Sequence, residues 1–183
     1  MRPTENLKNE HNDIKELLKI MSKIAKNIKS NEVFYTSDVE DIIDFLNFFI
    51  DRSHHGKEEL FYSKLEQAEI FKGSESLSVL LYEHTLARNY LKEIYSCVEN
   101  CKIGNAFSGE MLADSLNNYV ILLRNHIQKE EETIFPVVDN ELSTDKQNEL
   151  SVKFKSIEAS IVQHSFHDHY HKLLEQLQIK YPD

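Results

Sequence analysis

Two stretches of the chain carry the same arrangement of histidine and glutamate. Residues 54 to 62 read HHGKEELFY and residues 126 to 136 read HIQKEEETIFP. Each places a carboxylate four positions after an imidazole, in His54 and Glu58 and again in His126 and Glu130. On an α-helix such positions share one face, one turn apart. Imidazole nitrogen suits iron, zinc, copper and nickel, and a carboxylate can join two cations while offsetting their charge. A lone histidine precedes each pair at a nearly equal interval, His11 before the first and His84 before the second. The chain therefore reads as two similar halves.

Helices must position these residues, and the apolar spacing supplies them. Leu7, Ile14, Leu17, Leu18, Met21 and Ile24 mark an amphipathic helix from about residue 5 to 29, with Thr4 as a candidate N-cap. A second helix is expected from Ser37, where SDVE forms a capping box, through Ile42, Ile43, Leu46, Phe49 and Ile50 to about Ala68. A third is predicted over about 77 to 102, and a fourth from Ser108 to Phe135, where Pro136 should end or kink it. TDKQ at 144 to 147 opens another helix to about Val162, and a last one spans about 167 to 180. Joined by short connections, the first four fold most simply as an up-down-up-down four-helix bundle, all-α, over residues 1–140. Residues 141–183 form a C-terminal helical extension against the bundle or a second subunit.

Helical rise then tests whether the histidines meet. His11 and His54 each lie roughly 26 Å from the loop joining their helices, at about 1.5 Å per residue, and His84 and His126 are level in the same way. All four can occupy one layer. Four His and two Glu exceed the tetrahedral set of a structural zinc. They suit two iron ions, each held by two of His11, His54, His84 and His126, with Glu58 and Glu130 bridging and positions left open for a small ligand.

Other residues near this layer have weaker standing. His55 with Glu59 forms a competing pair one residue along, and His55 reads either as a hydrogen-bonding neighbour of the centre or as exposed. Arg88, one turn from His84, reads as an outer donor, a charge gate or an ordinary exposed arginine. Glu131 and Glu132 are expected to face solvent, and Phe61 and Phe135 to cover the lower side of the layer. The run HSFHDHYH, with His164, His167, His169 and His171, has i,i+4 spacing between His167 and His171 but no level carboxylates, so it reads as a solvated helix start. Cys97 and Cys101 share a helix face where side chains run nearly parallel, which favours two reduced thiols over a disulfide.

Composition narrows the class. The 183 residues fit one domain with an appendage, 40% of them hydrophobic, and seven Gly and Pro with no Trp favour long helices. A net charge of −10 argues against nucleic acid as the main partner. The longest apolar candidate, VEDIIDFLNFFIDRS, is interrupted by Asp41, Asp44, Asn47 and Asp51, so no membrane span is expected. The N-terminal MRPTENLKNEH lacks the apolar stretch of a signal peptide, and a cytoplasmic location is expected.

At His11, HHGKEE (54–59), EHTLARNYL (83–91) and HIQKEEETIFP, the sequence resembles the hemerythrin-like family, the His-His-Glu cation-binding bundles. The resemblance covers about residues 5 to 140. It implies a four-helix bundle with a non-haem di-iron centre at His11, His54, Glu58, His84, His126 and Glu130. The five-His oxygen carriers of the family have a second His one turn after the third-helix His, where this chain has Arg88. Their fourth helix carries His-x-x-x-x-Asp, where this chain has His-x-x-x-Glu. The four-His, two-Glu set is more similar to the bacterial iron-centre repair proteins.

Two functions follow from such a centre. One is binding or sensing O₂, NO or a related reactive species at an open iron position. The other is a di-iron enzyme or iron donor in oxidative or nitrosative stress, reducing peroxide or NO or repairing iron centres. A homodimer or a redox partner is compatible with either.

Overall fold

The computed structural model describes residues 1–71, 75–105, 107–161 and 166–182, with backbone alone at 161 and 166–169. The chain is all-helical, and no strand occurs among the described residues. The helices are α1 (Pro3–Lys29), α2 (Thr36–Phe45), α3 (Gly56–Gln67), α4 (Ser76–Lys102), α5 (Ser108–Lys129), α6 (Phe135–Glu141), α7 (Thr144–Ile161) and α8 (Phe166–Lys180). Two π-helical segments, Leu46–His55 and Glu130–Ile134, join α2 to α3 and α5 to α6 without a break.

α1 starts where Pro3 occupies the first turn and Glu5 accepts the Arg2 N–H at 2.8 Å, and Lys26 and Lys29 complement its C-terminal dipole. Thr4 is not its cap. It lies inside the helix, buried, and donates to Asp139 at 2.7 Å. The SDVE box is not formed either, because α2 begins one residue earlier with Tyr35 before it and no side-chain cap. At the end of α4, Gly104 takes φ +78°, a left-handed conformation that glycine adopts without strain. Asn105 N–H then reaches back to Asn100 O at 3.2 Å.

Pro136 does not end the helical run, which continues to Glu141. Glu130–Ile134 is wound as a π-helix, and the Phe135 N–H bonds to Glu130 O five residues back. Pro136 then sits in the first turn of α6, directly after the π turns.

The buried residues fall into two apolar clusters. The larger joins α1, α2, α4 and α5 through Ile14, Leu17, Met21, Leu46, Ile50, Ile94, Leu116 and Leu123. The smaller joins Leu7, Phe61, Leu65, Leu77, Leu80, Ile134, Phe135 and Val138. Between Leu7 and Ile14 on α1 lies His11, between Ile50 and Phe61 lie His54 to Glu58, and between Leu80 and Ala87 on α4 lies His84. A polar layer is thus enclosed by a hydrophobic core on either side. α8 adds Tyr170, Leu173, Leu174, Leu177 and Tyr181 to the first cluster, and α7 adds Leu150 and Phe154 to the second. Cys97 and Cys101 are free thiols, and burial raises both above the usual thiol range. No helix among the described residues is long and apolar enough to cross a membrane.

Candidate metal centre

Charged and polar side chains in a dry layer cost free energy unless something offsets their desolvation. His11, His54, His55, Glu58, His84, His126 and Glu130 are all buried here. The six residues singled out by spacing converge, and they do so around two positions. His11, His54, Glu58 and Glu130 offer ligand atoms that lie within 4.8 Å of one another, and so do His55, Glu58, His84 and His126.

Glu58 belongs to both groups and divides its oxygens between them. Oε1 is 2.8 Å from His54 Nε2 and 3.5 Å from His11 Nε2. Oε2 is 3.2 Å from His84 Nε2 and 3.7 Å from His126 Nε2. Glu130 turns one oxygen, Oε2, toward both sides, 3.2 Å from His11 Nε2 and 3.5 Å from His126 Nε2. Its other oxygen accepts the hydroxyl of the buried Tyr62. The Tyr62 phenol is pushed well above its usual range by burial and by the charges of Glu130 and Glu58.

Sequence reasoning left His55 outside the ligand set. Here it is buried, its ring stacked on His84 at 4.0 Å and 13°. Consecutive α-helical residues diverge by about 100°, and the wider π turn at Leu46–His55 narrows that angle. His54 can therefore serve one group and His55 the other.

An outer ring of carboxylates fixes the imidazoles. His11 Nδ1 donates to Glu131 at 2.9 Å, His54 Nδ1 to Glu10 at 2.8 Å, His84 Nδ1 to Glu59 at 3.2 Å and His126 Nδ1 to Glu83 at 3.1 Å. His55 Nδ1 faces Asp51 at 3.7 Å, beyond hydrogen-bond length. A carboxylate only accepts, so each of the four bonded rings carries a proton on Nδ1 and turns its Nε2 inward. Metal-ligating histidines are held in this way. Each carboxylate is held in turn by a cation: Glu131 by Lys15, Glu10 by Lys57, Glu83 by Lys129, and both Asp51 and Glu59 by Arg88. The tie from His11, with that from Lys15, brings Glu131 down to about 2. The tie from His84, with that from Arg88, does the same for Glu59.

The pattern is two-fold. Glu10, His11 and Lys15 on α1 correspond to Glu83, His84 and Arg88 on α4. His54, Lys57, Glu58 and Glu59 correspond to His126, Lys129, Glu130 and Glu131. In each half the acid beside a ligand serves a ligand on a neighbouring helix. His55 and Asp51 break the symmetry, because their counterparts are Ile127 and Leu123. Glu131 was expected to face solvent, yet it holds His11. Phe135 stacks on His11 at 5.6 Å and 12°, covering the layer together with Phe61. His164 and the side chains of His167 and His169 lie outside the described residues, and His171 is exposed on α8.

The inner atoms are left without partners. His11 Nε2, His54 Nε2, both nitrogens of His55, both oxygens of Glu58 and Glu130 Oε2 are buried and make no hydrogen bond. His84 Nε2 and His126 Nε2 stand 3.3 Å apart, within reach of a hydrogen bond between the two rings. A buried unpartnered polar atom calls for an explanation, and a bound cation is one. Burial works to raise Glu58, but its electrostatic interaction with His54 and the His11 and His126 imidazoles facing it hold it well below the usual carboxylate range. It remains an anion at the junction of the two groups.

The family model for the hemerythrin HHE cation-binding domain matches residues 2–138. The chain belongs to that family. No curated protein and no solved structure matches it. The match spans every residue of both four-ligand groups and of the outer ring, while α7 and α8 lie beyond it.

Proposed function

We propose that this hemerythrin HHE chain holds a non-haem di-iron centre and binds or senses O₂, NO or a related small reactive species. The observation that carries this reading is the pair of four-ligand groups sharing Glu58, with inner atoms unpartnered and imidazoles held from outside. Nitrogen and carboxylate donors in a mixed set suit iron. His11, His54, Glu58 and Glu130 would hold one ion, and His55, His84, His126 and Glu58 the other, with Glu130 Oε2 between them. Iron, when bound, supplies the redox change and an open coordination position, since four protein donors per ion leave room as in other non-haem sites.

The protein's own residues set the conditions. The apolar clusters on both sides of the layer keep bulk water away from it, which strengthens every electrostatic contact inside. The carboxylate ring keeps the Nε2 of His11, His54, His84 and His126 aimed inward, and Tyr62 fixes Glu130 so that one oxygen faces both groups. His55 bears on the type of centre. With it the imidazole count is five, so the position that Arg88 denies to a ligand on α4 is filled from the π turn. This favours binding over the four-His iron-centre repair reading. The up-down-up-down four-helix arrangement of residues 1–140, a helical cover from 141–183, a cytoplasmic location and a place in the stress response complete the proposal.

The test is anaerobic reconstitution with Fe(II), then optical spectra before air, in air and after its removal, repeated with NO. A ligand-dependent absorption band that appears and disappears reversibly is expected. Iron that oxidises once and does not return would overturn binding in favour of a peroxide- or NO-reducing enzyme or an iron donor.

A further inference from the structure

Lys57 and Lys129 occupy equivalent positions in the two halves and do the same work, one holding Glu10 on His54 and the other Glu83 on His126. Their surroundings differ. The Lys129 side chain is 44% exposed, whereas that of Lys57 is 0% exposed. The difference is α7, which follows the family-matched region and packs against α1, α3 and the π segment before it. Phe154 of α7 lies 5.8 Å from the Lys57 ammonium, and Leu150 and Phe154 anchor the helix in the smaller core.

An ammonium removed from water needs acceptors for its three N–H groups. Lys57 Nζ has three: Asn6 Oδ1 at 3.0 Å, Glu10 Oε1, and Glu158 Oε1 of α7 at 2.7 Å. Glu10 Oε2 then accepts from His54 Nδ1 at 2.8 Å, and His54 Nε2 points into the first ligand group. An unbroken series of charged hydrogen bonds thus runs from α7 to a ligand atom. Charge closes over the whole site once the imidazoles are neutral, as metal ligands are. Glu58, Glu130, the five outer carboxylates and Glu158 then face Lys15, Lys57, Arg88 and Lys129, which leaves four negative charges. Two divalent cations carry four positive ones.

We infer that α7 is a latch on the metal centre: Glu158 completes the acceptor set of Lys57, which holds Glu10 on His54. This rests on the reading of the two groups as metal sites. A metal on His54 Nε2 makes the Nδ1–H a stronger donor, which tightens Glu10 and Lys57 and through them Glu158. Coupling of this kind is reciprocal, so metal at the His11–His54 group and docking of α7 stabilise each other. A partner that peels α7 away would weaken that ion and leave the other.

The test uses the full chain with Fe(II) alone, added anaerobically. Hydrogen exchange of the α7 amides is expected to slow about tenfold on loading, as local opening becomes costlier. In chelator competition, Glu158→Ala is expected to weaken the ion at the His11–His54 group by a few-fold and at most about tenfold, the low end for losing a partner bonded to the ligand itself, with the other unmoved. Glu158→Gln, which keeps an acceptor oxygen, should recover most of that loss. Faster α7 exchange in Glu158→Ala with both affinities unchanged would overturn the latch and leave only packing. So would α7 exchange in the native chain that is indifferent to bound Fe(II). A native chain that takes up no Fe(II) would overturn the metal reading itself, so the two failures are distinguishable.

Discussion

A Glu58→Gln chain is expected to fold and to lose metal from both positions. Glu58 is the one residue common to the two ligand groups, and it gives a separate oxygen to each. An amide puts an uncharged oxygen toward one group and an NH₂ toward the other, and the latter repels a cation. Loss of an outer hydrogen-bonding partner costs about 10–100-fold in metal affinity, and a shared direct ligand should cost at least the upper end of that at each position. The fold should tolerate the change, because glutamine keeps the shape of the buried side chain and offers the surrounding imidazoles both an acceptor and a donor. Fe(II) titration followed by metal analysis checks this. Glu132→Gln is the control, since among the described residues Glu132 bonds to Gln128 alone. A Glu58→Gln chain that still held both ions would contradict the shared-ligand geometry.

His55→Phe is expected to separate stability from metal binding. Phenylalanine keeps the ring that stacks on His84 and removes both nitrogens. The chain should keep the ion at His11, His54, Glu58 and Glu130 and lose the one at His55, His84, His126 and Glu58. The metal-free variant should also be the more stable protein. Both nitrogens of His55 are buried without a hydrogen bond, and burial together with the neighbouring His84 pushes the imidazole down to about 3. Relieving an unsatisfied buried polar group is worth about 1–3 kcal/mol. That corresponds to roughly 2–12 °C in Tm for a chain of this size. Thermal unfolding with and without Fe(II) reads both effects. If His55 only packs, both ions stay bound.

Those expectations mark how far the sequence could be read. Helix existence followed from apolar periodicity, because each long helix buries one stripe against the same core. The convergence of His11, His54, Glu58, His84, His126 and Glu130 followed from the repeat and from helical rise. His55 was hidden for two reasons. Its counterpart in the other half is the apolar Ile127, so the repeat was silent about it. A π turn also has no signature in side-chain spacing, so α-helical geometry set His55 beside the layer rather than in it. The outer carboxylates did carry a signal. Glu10–His11 and Glu83–His84 are one doublet written twice, and so are Glu58–Glu59 and Glu130–Glu131. An acid next to a ligand reads as solvent-facing on a single helix, and only the neighbouring helix shows that it reaches a different histidine. Lys57 is the counterpart case. A lysine reads as exposed until α7, distant in sequence, lies over it.

The most direct measurement is anomalous diffraction at the iron edge from crystals grown with Fe(II) under anaerobic conditions. Two peaks per chain are expected about 3.5–4 Å apart, the usual separation in two-metal sites. One should lie among His11, His54, Glu58 and Glu130, the other among His55, His84, His126 and Glu58. A single peak, or peaks away from Glu58 such as beside His171 on α8, would contradict the di-iron account.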